Sequence, residues 1–163
     1  MPIQHALPSP PRHGRAARRL ATASACLLAL LAVQGARTQP ARADFATQVL
    51  DEANRYRRGQ NLPPLLPSEP LAALAAEHSA EMARLGRLSH GGFQERFRRA
   101  GRMTCVENLA AGFTDARQLV AGWRASGSHH QNLLDARVHE VGVASVATHV
   151  TWLACSSEAA PGR

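Results

Sequence analysis

From Val138 to Val146 the chain is almost continuously apolar or small, and beyond Ala147-Thr148-His149 a second such stretch runs from Val150 to Cys155. Apolar–polar alternation is absent from the first of them. A strand solvated on one face alternates, so the pair reads as strands covered on both faces and joined as a hairpin across the short break. A sheet of that kind needs a lid on each side, and the rest of the sequence has to supply both lids as helices.

Helical stripes are present in the required number. Phe45, Val49, Ala53 and Tyr56 recur at spacings of four, four and three, one face of a helix over 45–58 that Gly59 stops. Ser68 and Pro70 open a second helix, which runs to Leu85 with Leu71, Leu74, Ala75, His78, Met82 and Leu85 on its stripe and Gly86 at its end. A short basic helix over 94–100 ends at Gly101. Thr114 or Asp115 caps a further helix that turns Leu119, Val120 and Trp123 inward; Gly127-Ser128 breaks it, and Asn132-Leu133-Leu134 makes a short turn. Between the first two helices, the three prolines of Asn61–Pro67 remove donors and fix φ, so this segment reads as an apolar loop strapped across the body. Residues 103–113 lack helical periodicity and read as one more strand. Three helices, a strand, a helix and two strands imply an α+β fold, a three-layer α-β-α sandwich around a small, mainly antiparallel sheet.

The N-terminal stretch has a different character. Arg12, Arg15, Arg18 and Arg19 precede an apolar run from Leu20 to Val33, and Ala41-Arg42-Ala43 follows as an A-x-A cleavage pattern. This is the layout of a secretory signal peptide over 1–43, cleaved after Ala43. The alternative, a membrane anchor, needs ~20 apolar residues, and the run is shorter. A folded domain over 44–157 and a disordered tail over 158–163 are then expected. The formal net charge of +7 invites a nucleic-acid reading. Yet six of the 19 basic residues and none of the 12 acidic ones precede Asp44, so beyond the leader the arginines outnumber the acids by one. No nucleic-acid partner is expected, nor a membrane span in the mature chain. The remaining cluster of Arg96, Arg98, Arg99 and Arg102 reads as a solvated face.

Cys26 lies within the leader and leaves with it. The other two cysteines, Cys105 and Cys155, read in an exported chain as one disulfide, the alternative being two separate buried thiols. Just beyond Cys105 comes Glu107, ahead of a helix, and the pair His129-His130 follows that helix. His90 sits in the Gly-flanked loop Leu88-Ser89-His90-Gly91-Gly92, where a side chain can be aimed freely. His78, on an apolar stripe, reads as a core histidine with one hydrogen-bonded nitrogen, a ligand role being the alternative.

These motifs resemble the CAP superfamily, the cysteine-rich secretory, antigen five and pathogenesis-related group, in its bacterial SCP-like form. The resemblance covers 45–156 and is carried by Glu77-His78-Ser79-Ala80-Glu81-Met82-Ala83 with Leu88-Ser89-His90, Val106-Glu107-Asn108-Leu109-Ala110, Val120-Ala121-Gly122-Trp123, Ser128-His129-His130-Gln131-Asn132-Leu133-Leu134 and Glu140-Val141-Gly142-Val143, in that order. It implies an α-β-α sandwich, a secreted or periplasmic location, and a central cleft in which two His and two Glu can hold a divalent metal. Carried over by position, these are His90, Glu107 and His129; the second Glu falls on Ser126, which leaves three of the four. Further cleft candidates are His78, His130 and Glu140. Ser128 stands where a Gly usually precedes the His.

Three functions compete. Two imidazoles, a carboxylate and a water would suit Zn²⁺ or another divalent cation, weakly held; the same groups would equally form a hydrogen-bonded cluster tying loops together. A peptidase- or esterase-like hydrolase would use Ser128 or Ser126 as nucleophile, His129 or His90 as base and Glu107 as orienter. With no G-x-S-x-G elbow and one carboxylate missing, the preferred expectation is a monomeric, non-enzymatic binding module that requires no cofactor and takes a lipid, an envelope glycan or a protein ligand.

Overall fold

The computed structural model describes residues 44–157; the leader expected over 1–43 and the tail over 158–163 lie outside them. Asp44 caps the first helix, α1 (Phe45–Gly59), by accepting from the Thr47 amide at 2.8 Å. The proline strap contributes a two-residue strand, β1 (Leu66–Pro67). Helix α2 (Glu69–Leu85) has its proline in the first turn and stops at Gly86, whose φ of 63° is left-handed. Helix α3 spans Phe93–Ala100 and β2 spans Cys105–Ala111. The Asp115 side chain caps α4 (Ala116–Ala125). Residues 127–134 depart from the sequence expectation. Ser126 interrupts the chain with extended backbone, and Gly127–Leu133 forms a separate short helix, α5, where a break and a turn were anticipated. Strands β3 (Glu140–Val146) and β4 (His149–Cys155) complete the order.

The sheet runs β1-β3-β4-β2. β3 and β4 form the expected antiparallel hairpin, β2 lies antiparallel on the other side of β4, and β1 adds parallel to β3. Register sorts the strand residues onto two faces. Val141, Val150, Trp152 and Ala154 pack with Val49, Ala53, Leu119, Val120, Trp123 and Leu133 of α1, α4 and α5. Leu153 and Cys155 pack with Leu71 and Leu74 of α2, with Phe93 and Ala100 of α3 at the edge of the cluster. Helices therefore cover both faces, and this is why the strands show no polar alternation. At ~25 cal/mol per Å² of apolar surface removed from water, the two cores are the main source of stability.

The strap is held by side chains that the apolar stripes did not single out. Asn54 and the Leu65 backbone exchange two hydrogen bonds, of 2.9 and 2.8 Å. Arg57, 1% exposed, donates to the carbonyls of Pro63, Leu133 and Asp135. One buried cation thus satisfies three carbonyls and clips the strap to the end of α5. Burial pushes its guanidinium down from the ordinary arginine value, and the charge of Asp135 acts the other way.

Candidate functional site

Glu107 sits on β2, opposite Leu153 and therefore on the face that α2 and α3 cover. Its carboxylate is almost fully buried, 2% exposed, and a buried charge needs a partner. Arg96 of α3 supplies it. Nε donates to one oxygen and Nη2 to the other, both at 2.8 Å, a bidentate fork. The third Arg96 donor, Nη1, reaches the Gly91 carbonyl at 2.9 Å. The loop between α2 and α3 turns at Gly92, whose φ of 73° suits glycine, and it carries His90 to the same carboxylate. His90 Nδ1 donates to Glu107 Oε1 at 2.9 Å, while 55% of the side chain stays exposed. With Nδ1 committed, Nε2 is the atom left to meet a ligand.

The opposite wall is α5. Asn108, the β2 neighbour of Glu107, points to the other face and donates to the His129 carbonyl at 3.0 Å. Asn132 donates to the Glu107 carbonyl at 3.0 Å and to Asn108 Oδ1 at 2.9 Å. This amide ladder fixes α5 against the edge of β2 and sets the His129 ring 6.4 Å from the His90 ring, centre to centre. Between the walls lies an open cleft of ≈ 410 Å³, lined by His90, Phe93, Cys105, Val106, Glu107, Ser128, His129 and Asn132.

The His129 ring titrates below the ordinary histidine value, first because burial disfavours its charged form and second because His90 adds like charge. The unfolded chain then takes up this proton first as pH falls below about 6.5, so the group disfavours folding on acidification and has no effect well above that pH. In His90→Ala the NMR midpoint of His129 is expected to rise and yet remain below that of a free histidine, since the larger cause persists. An unchanged midpoint would remove His90 as a cause.

The cleft brings together His90, Glu107, His129 and Ser128. The other candidates lie elsewhere. His78 is 3% exposed in the core and bonds the Ser89 carbonyl through Nε2 at 2.8 Å, in line with the core reading. His130 faces away, its Nε2 2.8 Å from the Tyr56 hydroxyl, under a cation–π contact of Arg124 on the Tyr56 ring. Glu140 pairs with Arg102. Ser126 links α4 to α5 and does not line the cleft. The arginine cluster divides: Arg98 and Arg99 are exposed and pair with Glu95 and Glu77, but Arg96 is buried and is not part of a solvated face. Its burial follows from position, because Phe93, Arg96, Phe97 and Ala100 share the inward side of a two-turn helix. Asn108 and Asn132 lie within the motifs that carry the resemblance, but no role was read for them there. Cys105 and Cys155 are bonded across directly opposed positions of β2 and β4.

A direct metal site of His90, Glu107 and His129 does not fit these donors. Both Glu107 oxygens are bound by Arg96, one of them also by His90, and the guanidinium adds repulsion for an arriving cation. Among the described residues no group of three His, Cys, Asp or Glu is arranged to hold a metal ion. Glu107 orients His90 and not His129, so a nucleophile–base arrangement would have to use His90.

Comparison with known proteins agrees with this architecture. The model of the cysteine-rich secretory protein family, CAP, matches residues 50–153. An extracellular SCP-domain protein of Bacillus anthracis is 28% identical at a TM-score of 0.65, over 69% of this chain and 40% of that one. A cysteine-rich secretory protein of Staphylococcus aureus shares the fold at 18% identity and a TM-score of 0.63, over 69% and 38%. An outer surface protein of Borrelia burgdorferi does so at 20% and 0.62, over 68% and 90%. The chain thus spans well under half the length of the first two. No curated protein matches it in sequence. With the family match extending from α1 into β4 and a solved SCP-domain structure sharing the fold at a TM-score of 0.65, the chain belongs to the cysteine-rich secretory protein, or CAP, family.

Proposed function

We propose that the protein is an extracytoplasmic binding module whose cleft takes a small ligand with an apolar face and several hydrogen-bonding groups, such as a sugar unit of an envelope glycan or a lipid headgroup. The observation that carries the reading is the composition of the cleft around a fully partnered carboxylate. Glu107 has its charge cancelled by Arg96, so the floor presents hydrogen-bonding groups without a free acid. Phe93 and Val106 offer an apolar surface beside His90, Ser128, His129 and Asn132. The volume lies within the ~300–1,000 Å³ range of small-ligand sites. The disulfide and the extracellular family relative support a location outside the cytoplasm.

The test is native mass spectrometry of protein isolated from its own host, with a cleft-filling variant as control. Ser128 is exposed on α5, so Ser128→Trp is expected to fold normally and to lose the co-purified ligand. A ligand retained at the unsubstituted level would place binding elsewhere.

The His90–Glu107 bond favours a second reading, hydrolysis, with His90 Nε2 as the base, Glu107 as its orienter and Ser128 as nucleophile from the facing wall. Ester or peptide turnover lost in both His90→Ala and Ser128→Ala would establish it; absence of turnover leaves the binding module.

A further inference from the structure

Arg96 is 7% exposed in its side chain and Glu107 is 2% exposed. Each is an ion stripped of water by the fold, and each is compensated chiefly by the other. The Nη1 bond to Gly91 ties the same guanidinium to the loop from which His90 points. One side chain therefore cancels the charge of the cleft floor, holds both carboxylate oxygens in a plane, and sets the position of the His90 loop. A divalent ion seated between Glu107 and the two histidines would perform the first two of these tasks.

The candidate donors share one cleft, although as they stand no three of them are arranged to hold a metal ion among the described residues. His90 and His129 face each other across the cleft at 6.4 Å between ring centres, and Glu107 lies on its floor. What is withheld is a free carboxylate lone pair and a low local positive charge. Arg96 withholds both, and it does so without its neighbours, because Arg98, Arg99 and Arg102 are engaged by Glu95, Glu77 and Glu140. We infer that Arg96 is the resident cation of this cleft, a guanidinium standing where other sites would use a metal, and that its removal converts the cleft into a divalent-metal site of His90, Glu107 and His129. Two imidazoles and a carboxylate, with water completing the shell, suit zinc. The inference rests on the binding-module reading only for a cleft open to solvent. Its readout is metal affinity, which is independent of the organic ligand.

The experiment compares the unsubstituted chain with Arg96→Gln, whose amide can still reach one Glu107 oxygen. Zinc binding is measured by calorimetry, and the site is reported by the visible absorption of substituted cobalt. Arg96→Gln is expected to bind a single zinc ion at least about tenfold tighter than the unsubstituted chain, to gain the cobalt band, and to melt at a higher temperature with zinc. The added substitution Glu107→Gln should abolish all three gains. Equal zinc affinity in the two chains would overturn the inference, and so would a gain that survives Glu107→Gln. If Arg96→Gln does not fold alone, it is refolded with and without zinc: recovery of the fold with zinc supports the inference, and no recovery overturns it.

Discussion

Gly142→Ala is expected to remove a large share of the protein's stability. Gly142 lies in β3 directly beneath the first turn of α2. A Cβ placed there would come within 2.0 Å of the Leu71 carbonyl carbon, 2.2 Å of the Ala72 nitrogen and 2.3 Å of the Leu71 oxygen. All three are backbone atoms, so no side-chain rotation relieves the overlap, and relief requires lifting α2 off the sheet. Lifting it exposes Leu71 and Leu74, which are buried against Leu153. A loss of at least about 4 kcal/mol follows, against a total stability of roughly 5–15 kcal/mol for a domain of this kind. Thermal unfolding followed by circular dichroism checks it; a midpoint within about 5 °C of the unsubstituted protein would show that α2 can slide without cost. Gly122→Ala is the control. Its Cβ meets only the Phe113 ring edge at 3.6 Å, an ordinary contact, and an alanine within α4 should be neutral or stabilise.

Reduction of Cys105–Cys155 is expected to cost about 4 kcal/mol, from the closure entropy of a loop with a sequence separation of 50. The bond joins opposed residues at the start of β2 and the end of β4, and Cys105 lines the cleft two residues from Glu107. β2 is an edge strand, hydrogen-bonded within the sheet to β4 alone. Its first residues should therefore loosen first, and the Glu107–Arg96–His90 cluster with them. Hydrogen exchange after reduction should rise at Val106 to Asn108 before it rises in β3, which is paired on both sides. Uniform acceleration across the sheet would mean that the bond supports the whole core. A melting point unchanged in Cys105→Ala/Cys155→Ala would contradict the entropic estimate.

The layers were legible in the sequence because they follow from local pattern. Phe45, Val49, Ala53 and Tyr56 form a stripe wherever the helix goes, and two strands apolar on both faces call for two helical lids. The disulfide was legible because only two cysteines lie beyond the stretch 1–43 that reads as a leader. The motifs that carry the family resemblance also marked His90, Glu107 and His129, and these do share one cleft. The second short helix was less accessible. Gly127 and Ser128 are poor helix formers, but α5 is pinned by Leu133 in the core and by the amides of Asn108 and Asn132, and tertiary packing outweighs propensity over so few residues.

Which polar groups meet was not legible. His129 and His130 are adjacent, yet on a helix they project about 100° apart; the phase of α5 sends one to the cleft and the other to Tyr56. Arg96 and Arg98 look alike in a basic run, yet one is buried on Glu107 and the other lies in solvent with Glu95. By itself, then, the sequence determined the four longer helices, the doubly covered sheet, the cysteine pair and the family. The tertiary structure alone decided that Glu107 answers to Arg96 and His90, and so whether the cleft floor is an open carboxylate or a closed ion pair. The reason is physical. Apolar burial is non-directional and can be read from spacing, whereas an ion pair depends on distance, orientation and desolvation, which exist only once remote segments have packed.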